Sequence, residues 1–322
     1  MQYRRVGKSG LKVSAISLGA WLTFGSKRVE QEAAKTCIRT AIENGINFID
    51  VADIYAQGQA EVVVGEAIKD FKRSDLVIST KAYWAMSDNV NDRGLSRKHI
   101  TESVNASLKR FNLDYVDIFF CHRFDDETPL DETVRAIDDL ITQGKILYWG
   151  TSMWNAANLN DGVATARAIN ANRPIVEQPE YNMLDRNFVE SGLETALANH
   201  GLSLVVWSPL AQGILTGKYN DGIPAGSRYE TVDWFKDHLT QEKVEKARGI
   251  SQLAAEMGTT PAALAIAWVL KNPHVASAIT GATRPEQVTL NLKALDVTIT
   301  DEINRKIEDI LQNKPVVPRY NS

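Results

Sequence analysis

The chain has 322 residues, with 36 Lys and Arg against 40 Asp and Glu, a formal net charge of −4 and a pI near 5.8. That balance gives no electrostatic reason to expect nucleic acid, and 44% apolar with 24% charged residues is the composition of a globular chain rather than a disordered one. Its two cysteines, Cys37 and Cys121, cannot build a disulfide framework and lie in no metal-binding cluster, which favours a reducing compartment.

The polar, basic start MQYRRVGKSGLKVS has no apolar h-region, so it is not read as a secretory signal; it turns instead as a hairpin around Lys8-Ser9-Gly10. From there short β-rich runs alternate with longer helical patterns. Strands are predicted at Ala15–Leu18, Asn47–Asp50, Leu76–Thr80, Val116–Cys121, Leu147–Gly150, Val176–Gln178, Ser203–Trp207 and Ser277–Thr280. Between them lie one-faced helical patterns at Glu32–Asn44, Ala60–Phe71, Arg97–Phe111, Glu132–Gln143, Asn187–Asn199 and Gln241–Met257. Ser96 caps the Arg97 helix, Thr260-Pro261 opens Ala262–Leu270, and Gly45, Gly144 and Gly201 stand where helices end. No window approaches the roughly 18 apolar residues of a membrane helix; VVVGEAI and ALAIAWVL read as core, so no membrane insertion and a cytoplasmic location are expected.

Eight strand–helix units imply a parallel sheet closed into a (β/α)8 TIM barrel, which needs about 250 residues. The surplus goes to the N-terminal hairpin, a long loop after strand 7 at Pro209–Thr240, and a C-terminal helix at Asp301–Gln312. A doubly wound sheet with a helical tail fits less well, because strands continue to Ile279 with no linker or composition shift, and residues 1–322 read as one barrel domain.

Nucleotide fingerprints are missing. No G-x-G-x-x-G follows a strand, and in QGILTGKY the first P-loop glycine is Gln212 and the Ser/Thr position is Tyr219. No H-E-x-x-H, paired C-x-x-C or G-x-S-x-G occurs. Barrel chemistry sits where strands end, so those positions carry the information. Strand 2 ends in FIDVADIY with Asp50, Asp53 and Tyr55, strand 3 in STKAYW with Lys81, and strand 4 in FFCHR with His122. Taken singly, each has an ordinary explanation: a solvated lysine, a turn aspartate, a packing tyrosine, a core histidine. Together on one barrel face they make a coherent set. A phenol is a poor acid near neutrality. A nearby ammonium lowers its pKa, a carboxylate holds that ammonium charged, and a histidine can orient a carbonyl oxygen.

The motifs YRRVGKSGLKVS, SLGAW, FIDVADIYAQGQAE, STKAYW, YVDIFFCHRFD, GKILYWGTSMW, EQPEYNML, WSPLAQGILTGKY and GATRPEQV, in this order, resemble the aldo-keto reductase superfamily over essentially the whole chain. The likeness is greatest to the branch that includes voltage-gated potassium channel β subunits. The resemblance implies an NADPH/NADP+-dependent oxidoreductase that reduces aldehydes or ketones, with Asp50, Tyr55, Lys81 and His122 on the catalytic tetrad and Tyr55 as proton donor. The channel subunits typically carry Asn at the His122 position, which makes the chain look like an ordinary reductase; the alternative is a cofactor-loaded channel-accessory or redox-sensing module.

By the same resemblance, Ser152 and Gln178 hold the nicotinamide carboxamide, Trp207 stacks on its ring, and Trp21 and Asp50 also line the cofactor. Met153 stands where many relatives carry Asn. Ser208, Leu210, Gln212, Gly213, Lys218 and Arg228 match the pyrophosphate loop. Gly281, Thr283, Arg284, Gln287 and Asn291 match the site of the adenosine 2′-phosphate and adenine. Trp21, Tyr55, Tyr83, Trp84 and His122 would line an aromatic mouth for a small carbonyl substrate. No metal is implied, and the branch's habit of assembling into tetramers or larger rings allows a homo-oligomer.

Overall fold

A computed structural model describes residues 1–25, 29–232 and 237–316. Eight parallel strands close into a barrel, so the predicted (β/α)8 architecture is the one observed. In chain order these are β3 (Ile16–Gly19), β4 (Phe48–Asp50), β5 (Val77–Ala82), β6 (Val116–Cys121), β7 (Ile146–Thr151), β8 (Val176–Glu177), β9 (Ser203–Val206) and β10 (Val275–Thr280). β10 pairs with β3, Ala278 opposite Ile16, to complete the ring. The antiparallel hairpin β1 (Tyr3–Arg5) and β2 (Lys12–Ser14) lies against β10, and its Val6 and Val13 join the apolar filling of the barrel. Arg4 fastens it by donating to the carbonyls of Leu270 and Val275.

Strand periodicity sorts the side chains. Successive residues point to opposite faces. Phe48, Val77, Ile118, Phe120, Val176 and Val205 fill the barrel, while Ile49, Ile78, Phe119, Cys121, Leu204 and Val206 face the helical layer. The inward series, continued toward the strand ends, reaches Asp50, Lys81, His122, Gln178 and Trp207. Cys121 therefore belongs to the outer layer and His122 to the mouth. Both cysteines are buried and unpaired.

The helices are α1 (Gln31–Glu43), α2 (Gln59–Ile68), α3 (Arg97–Phe111), α4 (Leu130–Thr142), α5 (Ala156–Ala168), α6 (Glu194–His200), α7 (Arg228–Thr231), α8 (Gln241–Glu256), α9 (Pro261–Lys271), α10 (Pro285–Leu292) and α11 (Asp301–Leu311). Ser96 and Thr260 cap α3 and α9, accepting from the amides of His99 and Ala263. Two expectations change. The Asn187–Asn199 pattern is a π turn over Val189–Leu193 followed by α6, because Gly192 breaks the helical backbone. The stretch after β9 is structured: it holds a 3₁₀ turn over Ala211–Thr216 and α7, which bury Ala211, Ile214, Leu215 and Tyr229; residues 233–236 of that predicted loop lie outside the described residues.

Candidate active site

The site forms where β4, β5 and β6 end. Lys81 and Asp50 are essentially inaccessible, at 0% and 2% exposure, and an ammonium so deep demands a partner. Lys81 Nζ lies 2.7 Å from Asp50 Oδ2, donates to the Val51 carbonyl at 2.7 Å, and reaches Tyr55 Oη at 3.3 Å. Ser79 Oγ and Gln178 Nε2 donate to Asp50 Oδ1 at 2.7 and 2.9 Å, so both carboxylate oxygens are satisfied. Tyr55 is placed by a 3₁₀ turn, Tyr55–Gly58, whose Ala56, Gln57 and Gly58 all have positive φ. A Cβ on Gly58 would meet Arg110 Cδ at 2.7 Å, so glycine here admits both the left-handed backbone and the Arg110 side chain.

The His122 ring stands edge-on to Tyr55, centroids 5.9 Å apart, and edge-on to Trp84 at 6.2 Å; Tyr83 and Trp84 are edge-to-face at 5.1 Å. Burial first, then the charges of Lys81 and Arg123, hold the imidazole well below its ordinary pKa, so it is neutral at neutral pH. Its Nδ1 is buried without a hydrogen-bond partner among the described residues. The phenol departs from expectation. Burial, then the Asp50 carboxylate, raises Tyr55 well above the ordinary phenol value, against the lowering that Lys81 was expected to bring. The reason is compensation: Asp50 sits closer to the ammonium than the phenol does and balances its charge, leaving desolvation to decide. Burial in turn lowers Lys81, and Asp50 opposes that shift.

Gln178, bonded to Asp50, leads from this centre to the predicted cofactor residues. Ser152 Oγ donates to the Gln178 carbonyl at 2.8 Å, tying the two carboxamide candidates together. Met153 holds a left-handed backbone (φ 58°), which Asn adopts at less cost than Met, and its Sδ lies 3.4 Å from the Glu180 amide. Trp207 packs edge-on to Trp21 at 6.2 Å, and the Arg228 guanidinium lies 5.9 Å from the Trp21 ring centre. Ser208, Ala211, Gln212 and Gly213 all have positive φ, and Leu210 is half-buried beside them. Gln212 Nε2 ties the turn to Glu180 Oε1 and Ser208 Oγ. A Cβ on Gly213 would come within 2.9 Å of Lys218 Nζ, so the missing side chain lets that cation fold across the turn.

At the end of β10, a Cβ on Gly281 would lie at ordinary contact distance from Thr23 Cγ2, 3.9 Å, and Arg284 precedes α10, whose first turn has no side-chain cap. Thr283 donates through N–H and Oγ to Gln287 Oε1, and Asn291 is buried on the inner side of α10. Cations at Lys218, Arg228 and Arg284 and an uncapped helix start are donors of the kind that dinucleotide phosphates require. The arrangement fits the cofactor.

Two buried groups escaped the sequence reading. Ser79 is one, legible as the inward position two before Lys81. The other is Glu177, wholly buried, which accepts from Thr151 Oγ1 and from the Trp154 amide at 3.1 Å. Burial pushes its carboxyl up to about 8 from 4.5 despite those donors. Glu177 thus takes up a proton on folding between about pH 4.5 and 8, and its contribution to stability is present below that window and lost as pH rises through it. Asp53 and Glu180, both raised to about 7 by burial, act in the same sense. The melting temperature should fall between pH 5 and pH 8, and the fall should be shallower in Glu177→Gln; parallel melting curves by circular dichroism would assign it elsewhere.

Fold and site together define a (β/α)8-barrel protein whose chemistry-bearing groups gather at the C-terminal mouth. The model of the Aldo/keto reductase family matches residues 15–312, and the chain belongs to that family, whose members are NAD(P)-dependent oxidoreductases. It is 47% identical to an Arabidopsis thaliana protein named "Probable voltage-gated potassium channel subunit beta", over 99% of both chains. An Oryza sativa subsp. japonica protein of the same name is 46% identical over 98% of both.

Proposed function

We propose that the protein is an NADPH-dependent carbonyl reductase that converts aldehydes or ketones to alcohols, working in the cytoplasm on small soluble substrates. The observation that carries this reading is the lysine held between Asp50 and Tyr55, beside a neutral His122. Tyr55, kept protonated by burial, is the donor to the carbonyl oxygen. As its proton leaves, the adjacent ammonium stabilises the phenolate, and Asp50 keeps that ammonium charged. His122, neutral and edge-on to Tyr55, orients the carbonyl oxygen by hydrogen bonding. NADPH, when bound, supplies the hydride. Ser152, Gln178 and Trp207 would hold its nicotinamide, the Ser208–Arg228 segment its pyrophosphate, and the Gly281–Asn291 segment its adenosine end.

Steady-state NADPH oxidation across a panel of aldehydes tests the reading. Tight cofactor binding with no aldehyde-dependent oxidation would overturn it. That result would favour a second reading, suggested by the names of the two relatives: a cofactor-loaded accessory subunit of a membrane channel.

Cofactor choice makes a separate prediction. Arg284, exposed at the uncapped start of α10, is positioned for a 2′-phosphate, and a charge-assisted hydrogen bond of this kind contributes about 1.5–3 kcal/mol. Arg284→Ala should weaken NADPH by roughly tenfold or more while leaving NADH little changed, read by fluorescence titration. Equal losses for both cofactors would move the role to Lys218 or Arg228.

A further inference from the structure

Arg123 follows His122 at the end of β6, and beyond the effect of its charge on His122 it has no part in the proton or hydride chemistry assigned above. Its guanidinium is half-buried at the mouth, 5.5 Å from the Trp84 ring centre, with Nη1 donating to the His122 carbonyl. It is close enough to Tyr55, Lys81 and His122 for its charge to act on each of them. Four other arginines that are partly or fully buried are paired or saturated. Arg73 lies 2.6 Å from Asp117, Arg110 is joined to Glu61, Arg186 bridges Glu190 and Glu308, and Arg4 donates to two carbonyls. Arg123 has no carboxylate within 4.0 Å among the described residues. Glu177, the buried acid on its side of the barrel, has turned its carboxyl to Thr151 and the Trp154 amide. Lys81 is balanced by Asp50, so the guanidinium stands at the mouth as a cation with no ion-pair partner among the described residues, while Asp53 and the Asp125, Asp126 and Glu127 carboxylates act from further off.

We infer that Arg123 holds an anionic group of the substrate, so that the preferred substrates are aldehydes or ketones carrying a carboxylate. A half-buried guanidinium beside an aromatic ring presents a planar pair of donors that matches a carboxylate and is less strongly hydrated than an ammonium. Trp84, 41% exposed at the rim, offers a flat apolar wall for the carbon skeleton between carboxylate and carbonyl. The inference rests on the carbonyl-reductase reading and deepens it by naming the substrate class.

The test compares 4-carboxybenzaldehyde with its methyl ester, which share ring and carbonyl and differ in charge. With NADPH, kcat/KM for the acid should exceed that for the ester by about tenfold or more, the worth of one charge-assisted pair. Arg123→Gln should bring the ratio close to one, and Arg123→Lys, which keeps the charge and loses the fork, should leave an intermediate value. A wild-type ratio near one, or a ratio unchanged in both variants, overturns the inference while the reductase reading stands. If neither aldehyde is reduced, the reductase reading fails, and calorimetric titration of benzoate into the NADP+-saturated protein decides the anion site by itself. Binding that is lost in Arg123→Gln supports it; binding that is absent, or unchanged by the substitution, overturns it.

Discussion

Tyr55→Phe should lose roughly 10²–10⁴-fold in aldehyde reduction, the usual worth of a positioned proton donor, while folding and binding NADPH as before. The substitution removes only Oη, whose one hydrogen-bond neighbour among the described residues is Lys81 Nζ at 3.3 Å; the ring keeps its contact with His122, and Lys81 keeps Asp50 and the Val51 carbonyl. Cofactor affinity by fluorescence titration separates lost chemistry from lost binding, and a near-normal rate would remove Tyr55 from the proton step. Since burial holds the phenol well above its ordinary value, reduction should show no falling limb from Tyr55 across the neutral range. Alcohol oxidation, which needs the phenolate, should climb as pH rises. An oxidation rate flat from pH 7 to pH 10 would contradict that assignment.

Lys81→Met should be costly in a different way. It leaves the Asp50 carboxylate buried with only Ser79 and Gln178 as donors, and stripping one partner from a buried ion pair costs about 3–5 kcal/mol. Urea denaturation should therefore show a large drop in stability together with lost reduction. Adding Asp50→Asn should recover much of the stability without any activity, because the orphaned charge is gone and the asparagine can still accept from its neighbours. Unchanged stability in Lys81→Met would overturn the reading of Lys81 and Asp50 as a buried ion pair. Joined to Tyr55→Phe, Lys81→Met should lower the rate scarcely further than either alone, because the two groups act as a unit.

What the sequence disclosed of this site followed from alternation. In FIDV, STKA and FFCH every second residue faces the barrel interior, so a strand assigned within a residue already points Asp50, Lys81 and His122 to a common space. What it hid depended on closure. The Ser79 and Gln178 hydrogen bonds to Asp50 cross from β5 and from the end of β8, and the direction of the Tyr55 shift depends on how much water the closed mouth excludes. Glu177 sits in the EQPE stretch beside Gln178, and a lone glutamate at a strand end reads as solvated until the neighbouring amides are seen around it. The stretch after β9 looked irregular because its order comes from left-handed turns at Ser208, Ala211 and Gln212, which side-chain periodicity does not report.

The ring closes through the last strand made. β10 supplies the partner for β3 and β9 alike, and the hairpin's Arg4 donates to a carbonyl 271 residues downstream. During synthesis, then, the edges of β3 and β9 stay unpaired until residues 275–280 have left the ribosome, and no amount of earlier folding shortens that wait. Exposed strand edges are templates for association with other chains. The barrel therefore closes only once Val275–Thr280 has been translated, and a nascent chain halted before Val275 would carry two open edges and a hairpin without the Val275 carbonyl that Arg4 holds.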